Sequence, residues 1–345
     1  MKNKTIPFIG LLLSVGLSSC VDKFIPEVKE AFDRDVNFTK TLFEPVMGRT
    51  TVYTEIFNRA NSTLPITFEI KNMRHNDGTP APELTEFYPV KLWKTPYLGT
   101  EKSLEEIEAK RGIGYRRLFD VVKHSGEIVL WAEANSSILR CQPDSGYVFD
   151  IEASNSGGYK YTQRMKFMPK REVDFEPSII DSYSGLATAE YVTPTSLKIY
   201  SEEEKLLDLT DVHIYFREIR KEGEENKGST LKLSFFNKDW TVINPARFNE
   251  TKWDNLFQAG FLKELTDTYV LYDMAYPLPL FEDKTTYTSS NGKLARITLN
   301  GNFVSEEYGM IMRRLFNIVF EFAIYREANW ELMFHFATTH PRLGD

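Results

Sequence analysis

Apolar and polar residues alternate with period two along most of this chain, and no other feature constrains the fold as tightly. Alternation puts one face of a strand against a core and the other in water. The pattern predicts strands at 51–57, 66–70, 127–134, 147–153 and 161–168, and again at 197–200, 212–216 and 230–236. Asn237-Lys238-Asp239 reads as a turn into a further strand at 240–243, forming a hairpin. The clearest strands are 294–304, 316–325 and 330–336, with a turn at Arg326-Glu327-Ala328-Asn329.

Helical signals are few. Ser103-Leu104-Glu105-Glu106 is a capping box, with Leu104 and Ile107 on one face and Gly112 as the stop. A short helix at 252–258 would take Thr251 as its cap. Between residues 169 and 195 the rhythm breaks around Pro169, Pro177, Ser182, Ser184, Gly185 and Pro194, which reads as a connection. The expected architecture is therefore all-β, with two β-sandwich-like domains at 36–168 and 196–345 joined by 169–195. Aromatic residues make up 14% of the chain, enough for ordinary cores and too many for a disordered chain.

The N-terminus reads as an address. Lys2 and Lys4 precede an apolar run from Ile6 to Leu17 that is shorter than the ~20 residues a bilayer span needs. It has the length of a signal-peptide core, and residues 1–19 are expected to be removed. Leu17-Ser18-Ser19-Cys20 resembles a bacterial lipobox, in which the cysteine thiol takes a diacylglycerol and the freed amine is usually acylated too. Several acyl chains, at ~0.8 kcal/mol per buried methylene, hold a protein to a membrane where one chain binds reversibly. Residues 20–35 then form a lipidated tether. Cys141, the other thiol, reads as a small buried hydrophobe.

No catalytic residue, metal set or cofactor loop emerges. Asp33, Asp35, Asn37, Thr41 and Glu44 fall at EF-hand spacing, but Phe38 stands where that loop needs glycine and Pro45 follows where a helix should begin. The segment reads instead as an acidic tether running into an edge strand. The five histidines include no pair with zinc spacing on a helix, and His124-Ser125-Gly126 reads as a turn rather than part of a triad. A net charge of −7 argues against a nucleic-acid partner. Among the tryptophans, Trp131 and Trp330 sit in apolar strands and read as core. Trp240, at a hairpin tip, and Trp253, opening a helix, are the candidates for exposed ligand-binding rings.

Several segments together carry a resemblance: the lipobox, Asp77-Gly78-Thr79-Pro80-Ala81-Pro82-Glu83-Leu84, Ser103-Leu104-Glu105-Glu106-Ile107, Gln142-Pro143-Asp144-Ser145-Gly146-Tyr147, residues 245–253, and Tyr272-Asp273-Met274-Ala275-Tyr276-Pro277. With them the chain resembles a family of uncharacterised Bacteroidota lipoproteins with a domain of unknown function over nearly the whole mature chain. That resemblance implies an outer-membrane lipoprotein, often found beside Sus-type transporters and their glycan-capture lipoproteins. It supplies no site residues. Three classes of function stay open: a non-catalytic protein that binds a glycan or an outer-membrane transporter, a carbohydrate-active hydrolase, and a structural or adhesion component. Labelled palmitate tests the address directly. Cys20→Ser is expected to lose the label and to leave the membrane or stay unprocessed, and undiminished label with unchanged membrane retention sinks the lipobox reading.

Overall fold

The computed structural model describes residues 30–220, 228–307 and 309–344. Cys20 and the expected signal segment, residues 1–19, lie outside these residues. The chain is all-β, with sandwich-like pairs of sheets and a single α-helix among the described residues.

Two buried cores follow one another in sequence. In the first, a four-stranded sheet runs in the order Leu42–Phe43, Lys160–Phe167, Tyr147–Asn155, Ile66–His75. Its alternate residues Phe68, Ile70, Phe149, Ile151, Met165 and Phe167 are buried. They face a three-stranded sheet of Thr51–Tyr53, Ile128–Leu130 and Phe119–Val121. Phe119 joins the two layers, stacked on Phe167 at 4.0 Å and edge-on to Phe149 at 5.3 Å.

The second core lies between a five-stranded sheet and a sheet built on one long strand. The five strands run in the order Val212–Glu218, Asn329–Phe336, Thr230–Phe236, Tyr269–Met274, Gly260–Leu265. Asn329–Phe336 is antiparallel to the first of these and parallel to Thr230–Phe236. Opposite lies Met310–Ile324, paired with Ala295–Glu307 on one edge and with Phe175–Glu176 and Ser196–Lys198 on the other. Phe316, Ile318, Phe320, Phe322 and Ile324 alternate into the core. Gly301 faces Phe316 across the hairpin, and a Cβ there would sit 2.1 Å from the Phe316 ring, so only glycine admits it.

The two cores meet at a polar seam. Arg49 donates to Glu176 at 2.6 Å and to the Tyr325 hydroxyl at 2.8 Å, with its guanidinium 3.7 Å from the Tyr325 ring centre. Lys91 pairs with Glu108 at 2.8 Å and Glu327 at 3.0 Å. A small third cluster of Ile107, Ala259 and Ala275 fills the space nearby. Lys170 bonds back to Pro45, whereas Phe175 and Glu176 pair with Ile324 and Ala323.

Several local expectations change. Ser103 caps Leu104–Glu108 by accepting the Glu106 N–H, but Gly112 is not the stop. Gly112 lies inside the strand Arg111–Arg116, under the Lys94 side chain, and that strand pairs with Tyr88–Trp93. The helix expected at 252–258 is one 3₁₀ turn, Trp253–Asn255, because Trp253, Leu256 and Phe257 plug the core instead of extending a helical face. Residues 51–57 divide at Glu55, whose φ of 54° turns the chain toward Phe57–Asn58. Residues 197–200 divide as well, between Ser196–Lys198 and Tyr200–Ser201, which pair with different strands.

Phe119 is fully buried between the layers of the first core. Phe119→Ala is expected to lower unfolding free energy by ~3–5 kcal/mol, measured by urea denaturation. A loss below ~1 kcal/mol would mean that the layers do not meet there.

Candidate functional site

The outer face of the five-stranded sheet carries the side chains that alternation turns away from the core. Val212, Ile214, Leu332, Phe334, Phe336, Leu233 and Phe235 point inward and are buried. His213, Tyr215, Met333, His335, Ser234 and Phe236 therefore share the other face. Register places His213 opposite His335 and Tyr215 opposite Met333, with Phe236 beside His335 on the next strand.

The turn after Phe236 folds a further ring over this face. The Trp240 N–H donates to Asn237 O at 2.9 Å and the Asn237 N–H to Thr241 O at 2.8 Å. Asp239 fixes the loop by accepting both the Thr241 N–H and its hydroxyl. In this geometry Trp240 takes a φ of 64°. Glycine is the usual residue in that left-handed position, and a bulky side chain there costs ~1–2 kcal/mol. The Trp240 ring lies on His335, with centres 3.8 Å apart and planes 17° apart. It remains 47% exposed. Stacking covers one face of the indole, so the exposure belongs to the other face and the edge.

Neighbouring rings extend the surface. Tyr215 lies 5.9 Å from Trp240. Tyr191 stacks on His213 at 3.5 Å and meets Tyr215 edge-on at 6.0 Å. Burial, helped by His335, lowers the pKa of His213, which favours the neutral ring. Burial, with Tyr191 and Glu190 nearby, raises that of Tyr215 and keeps its hydroxyl protonated. The result is a tiled aromatic platform edged by hydroxyls. Such a surface offers flat apolar area and hydrogen bonds.

Beside the platform the sheet is braced by a buried carboxylate. Glu331 is 1% exposed and accepts from Ser234 at 2.7 Å, from Lys232 at 3.0 Å and from Arg217. Burial acts to raise its pKa, but the Ser234 hydroxyl and the two cations outweigh it and hold the carboxyl below its usual range.

Residues 57–345 match the sequence pattern of a family described as a domain of unknown function, DUF5007. The chain belongs to that family. No curated protein matches the sequence. The DUF5007 match covers the second core and the part of the first that follows residue 56, leaving Phe38, Phe43, Met47 and Ile56 outside it, and the aromatic platform lies within the family domain.

In this DUF5007 chain the remaining sequence candidates separate. Trp253 is 8% exposed and packs edge-on against Phe235 at 6.2 Å, with its carbonyl taking the Tyr272 hydroxyl. The expectation of an exposed ring there is corrected, because the 3₁₀ turn rotates it into the core. Trp330 is buried and Trp131 packs half-buried against the first core. Asp33 accepts the N–H groups of Asp35 and Asn61 and the Asn61 side-chain amide, and Leu42–Phe43 forms a strand between Thr41 and Glu44. Among the described residues, no group of three or more His, Cys, Asp or Glu could hold a metal ion. Cys141 is half-buried, and burial raises its pKa.

The Asp77–Leu84 segment has a structural use that its sequence did not announce. His75 is buried between Thr79 at 2.8 Å and Glu83 at 2.6 Å. Tyr147 donates to the same Glu83 oxygen at 3.0 Å, and its hydroxyl accepts the Arg140 N–H. This network pins the loop to the first sheet.

The Trp240 backbone gives a test independent of any ligand. Trp240→Gly and Trp240→Ala both lose the His335 stack, but only glycine relieves the left-handed strain. Thermal unfolding is expected to find the glycine variant more stable than the alanine variant by about 1 kcal/mol. Equal stabilities would mean that the turn is unstrained.

Proposed function

We propose that this chain is a non-catalytic glycan-binding lipoprotein, held at the outer membrane through Cys20 and working beside a Sus-type transporter in a Bacteroidota envelope. One observation carries the binding reading. Trp240 holds a strained backbone conformation that presents a large ring, where glycine would satisfy the turn. Strain of this kind collects at functional positions, where the gain lies in what the side chain does. A pyranose presents a C–H face that stacks on an indole, while its hydroxyls reach the rims of Tyr215 and Tyr191. Stacking needs area and shape rather than an activated nucleophile. This favours a binding surface over a hydrolase, which calls for two facing carboxylates in a cleft.

A transporter-accessory role draws on a different feature. The far end of the hairpin formed by Ala295–Glu307 and Met310–Ile324 exposes Val304, Met310, Ile311, Met312 and Leu315, with Ile311 82% exposed. Clustered apolar side chains of this kind fit a protein partner.

A glycan array probed with the full chain in a sugar-free detergent tests the binding reading. Micromolar or weaker affinity is expected, about −8 kcal/mol or smaller in magnitude. Trp240→Ala should weaken binding by more than ~1 kcal/mol, and Tyr215→Ala should act in the same direction. If no glycan binds, or if both variants bind like the parent, the platform is not the site.

A further inference from the structure

A second aromatic surface lies at the seam between the two cores. Phe281 stacks on Trp93 at 5.3 Å and 29°, and on Tyr97 at 5.5 Å and 27°. The three rings form one wall, with Phe281 38% exposed. Beside it is an open groove of about 270 Å³ lined by Tyr97, Leu98, Gly99, Gln258, Phe281 and Asp283.

The wall is rigidly supported. Beneath it, the buried Ile107, Ala259 and Ala275 pack against Trp93, Tyr97, Phe261 and Leu280. Arg111 lies 4.5 Å from the Trp93 ring centre and is tied to Glu108 at 2.9 Å and to the Tyr276 carbonyl at 2.8 Å. Glu101 accepts the Leu98 N–H at 3.0 Å and is paired with Lys110, which braces the loop on the near side. The Tyr97 hydroxyl reaches across to Gln258 O at 3.2 Å. Both sides of the groove are therefore held before any ligand arrives.

Its rim, by contrast, is unspent. Among the described residues, neither the Gln258 side-chain amide nor the Asp283 carboxylate makes a hydrogen bond or ion pair. Gly99 leaves the amide uncovered, since a Cβ there would stand 3.9 Å from Gln258 Nε2. An aromatic wall in the same lining as a free amide and a free carboxylate matches a sugar ring. The C–H face meets the wall, hydroxyls donate to the carboxylate, and the amide both donates and accepts. No lysine or arginine lines the groove, and Asp283 repels anions, so a phosphorylated or carboxylated ligand does not fit. Binding sites for drug-sized ligands span roughly 300–1,000 Å³, so this smaller volume suits a single ring.

We propose that the seam groove between Tyr97, Phe281, Gln258 and Asp283 is a second carbohydrate site, which takes one neutral pyranose ring. It stands apart from the Trp240 platform, and the two readings fail separately.

The test uses the full chain labelled with 5-fluorotryptophan, in a sugar-free detergent, with the Trp93 and Trp240 ¹⁹F signals assigned by Trp93→Phe and Trp240→Phe. The probes are the methyl glycosides of glucose, galactose, mannose and N-acetylglucosamine, with cyclohexanol as an apolar control. At least one glycoside is expected to move the Trp93 signal saturably in the millimolar range. Asp283→Asn should weaken that response about tenfold, the scale of one hydrogen bond to a charged acceptor. The Asp283 carboxylate has no described partner to lose, and the carbonyl that accepts the Thr288 hydroxyl is kept in Asp283→Asn, so this variant should melt with the parent. Phe281→Ala should abolish the response. A Trp93 signal unmoved by all four glycosides overturns the proposal, whatever the Trp240 signal does. So does a response to cyclohexanol as strong as that to the sugars, which marks a general apolar cleft. Movement of Trp93 with Trp240 silent supports the seam site independently of the platform.

Discussion

The pairing of Met310–Ile324 on both edges is the interaction on which the rest of the structure depends. One edge carries the full length of Ala295–Glu307, and the other receives Ser196–Lys198 and Phe175–Glu176. Its inward residues, with Ala295, Ile297, Leu299 and Phe303 of its hairpin partner, supply one side of the second core. Its last residue leads to Tyr325, where Arg49 of the first half binds. A single strand thus fixes a sheet, a core and a seam. Because the seam positions Phe281 against Trp93 and Tyr97, the geometry of that groove is inherited from the same strand. The opposite end of the strand is bare, and its apolar side chains have no counterpart among the described residues.

Much of this architecture was legible as alternation. Residues 147–153, 230–236 and 330–336 keep their inward alternate residues buried, and period two finds such strands, although Ser234, Glu331 and His335 on the outer face are buried as well. The pattern failed where burial is weak or where punctuation residues sit inside a strand. Arg111–Arg116 contains Gly112 and Gly114, and Tyr88–Trp93 contains Pro89, so neither stands out as alternation. Gly260–Leu265 is largely exposed and shows little contrast between its faces. Trp253, Leu256 and Phe257 have helical spacing, yet their spacing serves a plug. Local pattern does not say which way a short turn faces, which is why Trp253 and Trp240 looked alike in sequence.

The platform was half legible. A tryptophan after Asn-Lys-Asp identified Trp240, but Tyr215, His213 and Tyr191 became visible only through register across three separate segments. The seam groove was not legible at all, because Tyr97, Gln258 and Phe281 come from loops that no periodicity connects. Both surfaces share a design. Each is a set of rings whose positions are set by something other than the ligand: the His335 stack and the Asp239 turn in one case, Arg111 and Glu101 in the other. Rings held in advance lose little freedom on binding, which suits weak ligands recognised mainly by shape.

The order of the five-stranded sheet has a further consequence. Val212–Glu218 and Thr230–Phe236 are close in sequence but not adjacent in the sheet, because Asn329–Phe336 lies between them. A ribosome delivers the earlier two strands well before the one that separates them. Nearby segments of this kind pair readily as a simple hairpin, and such a hairpin would fill the slot that the late strand must enter. The growing chain has to keep that slot open, or reopen it, until residues 329–336 arrive. Closure over this sequence distance is slow, and the waiting edges are sticky. Folding therefore has to protect two open strand edges until then, and its yield should be limited by the arrival of the last strand rather than by the stability of the finished sheet.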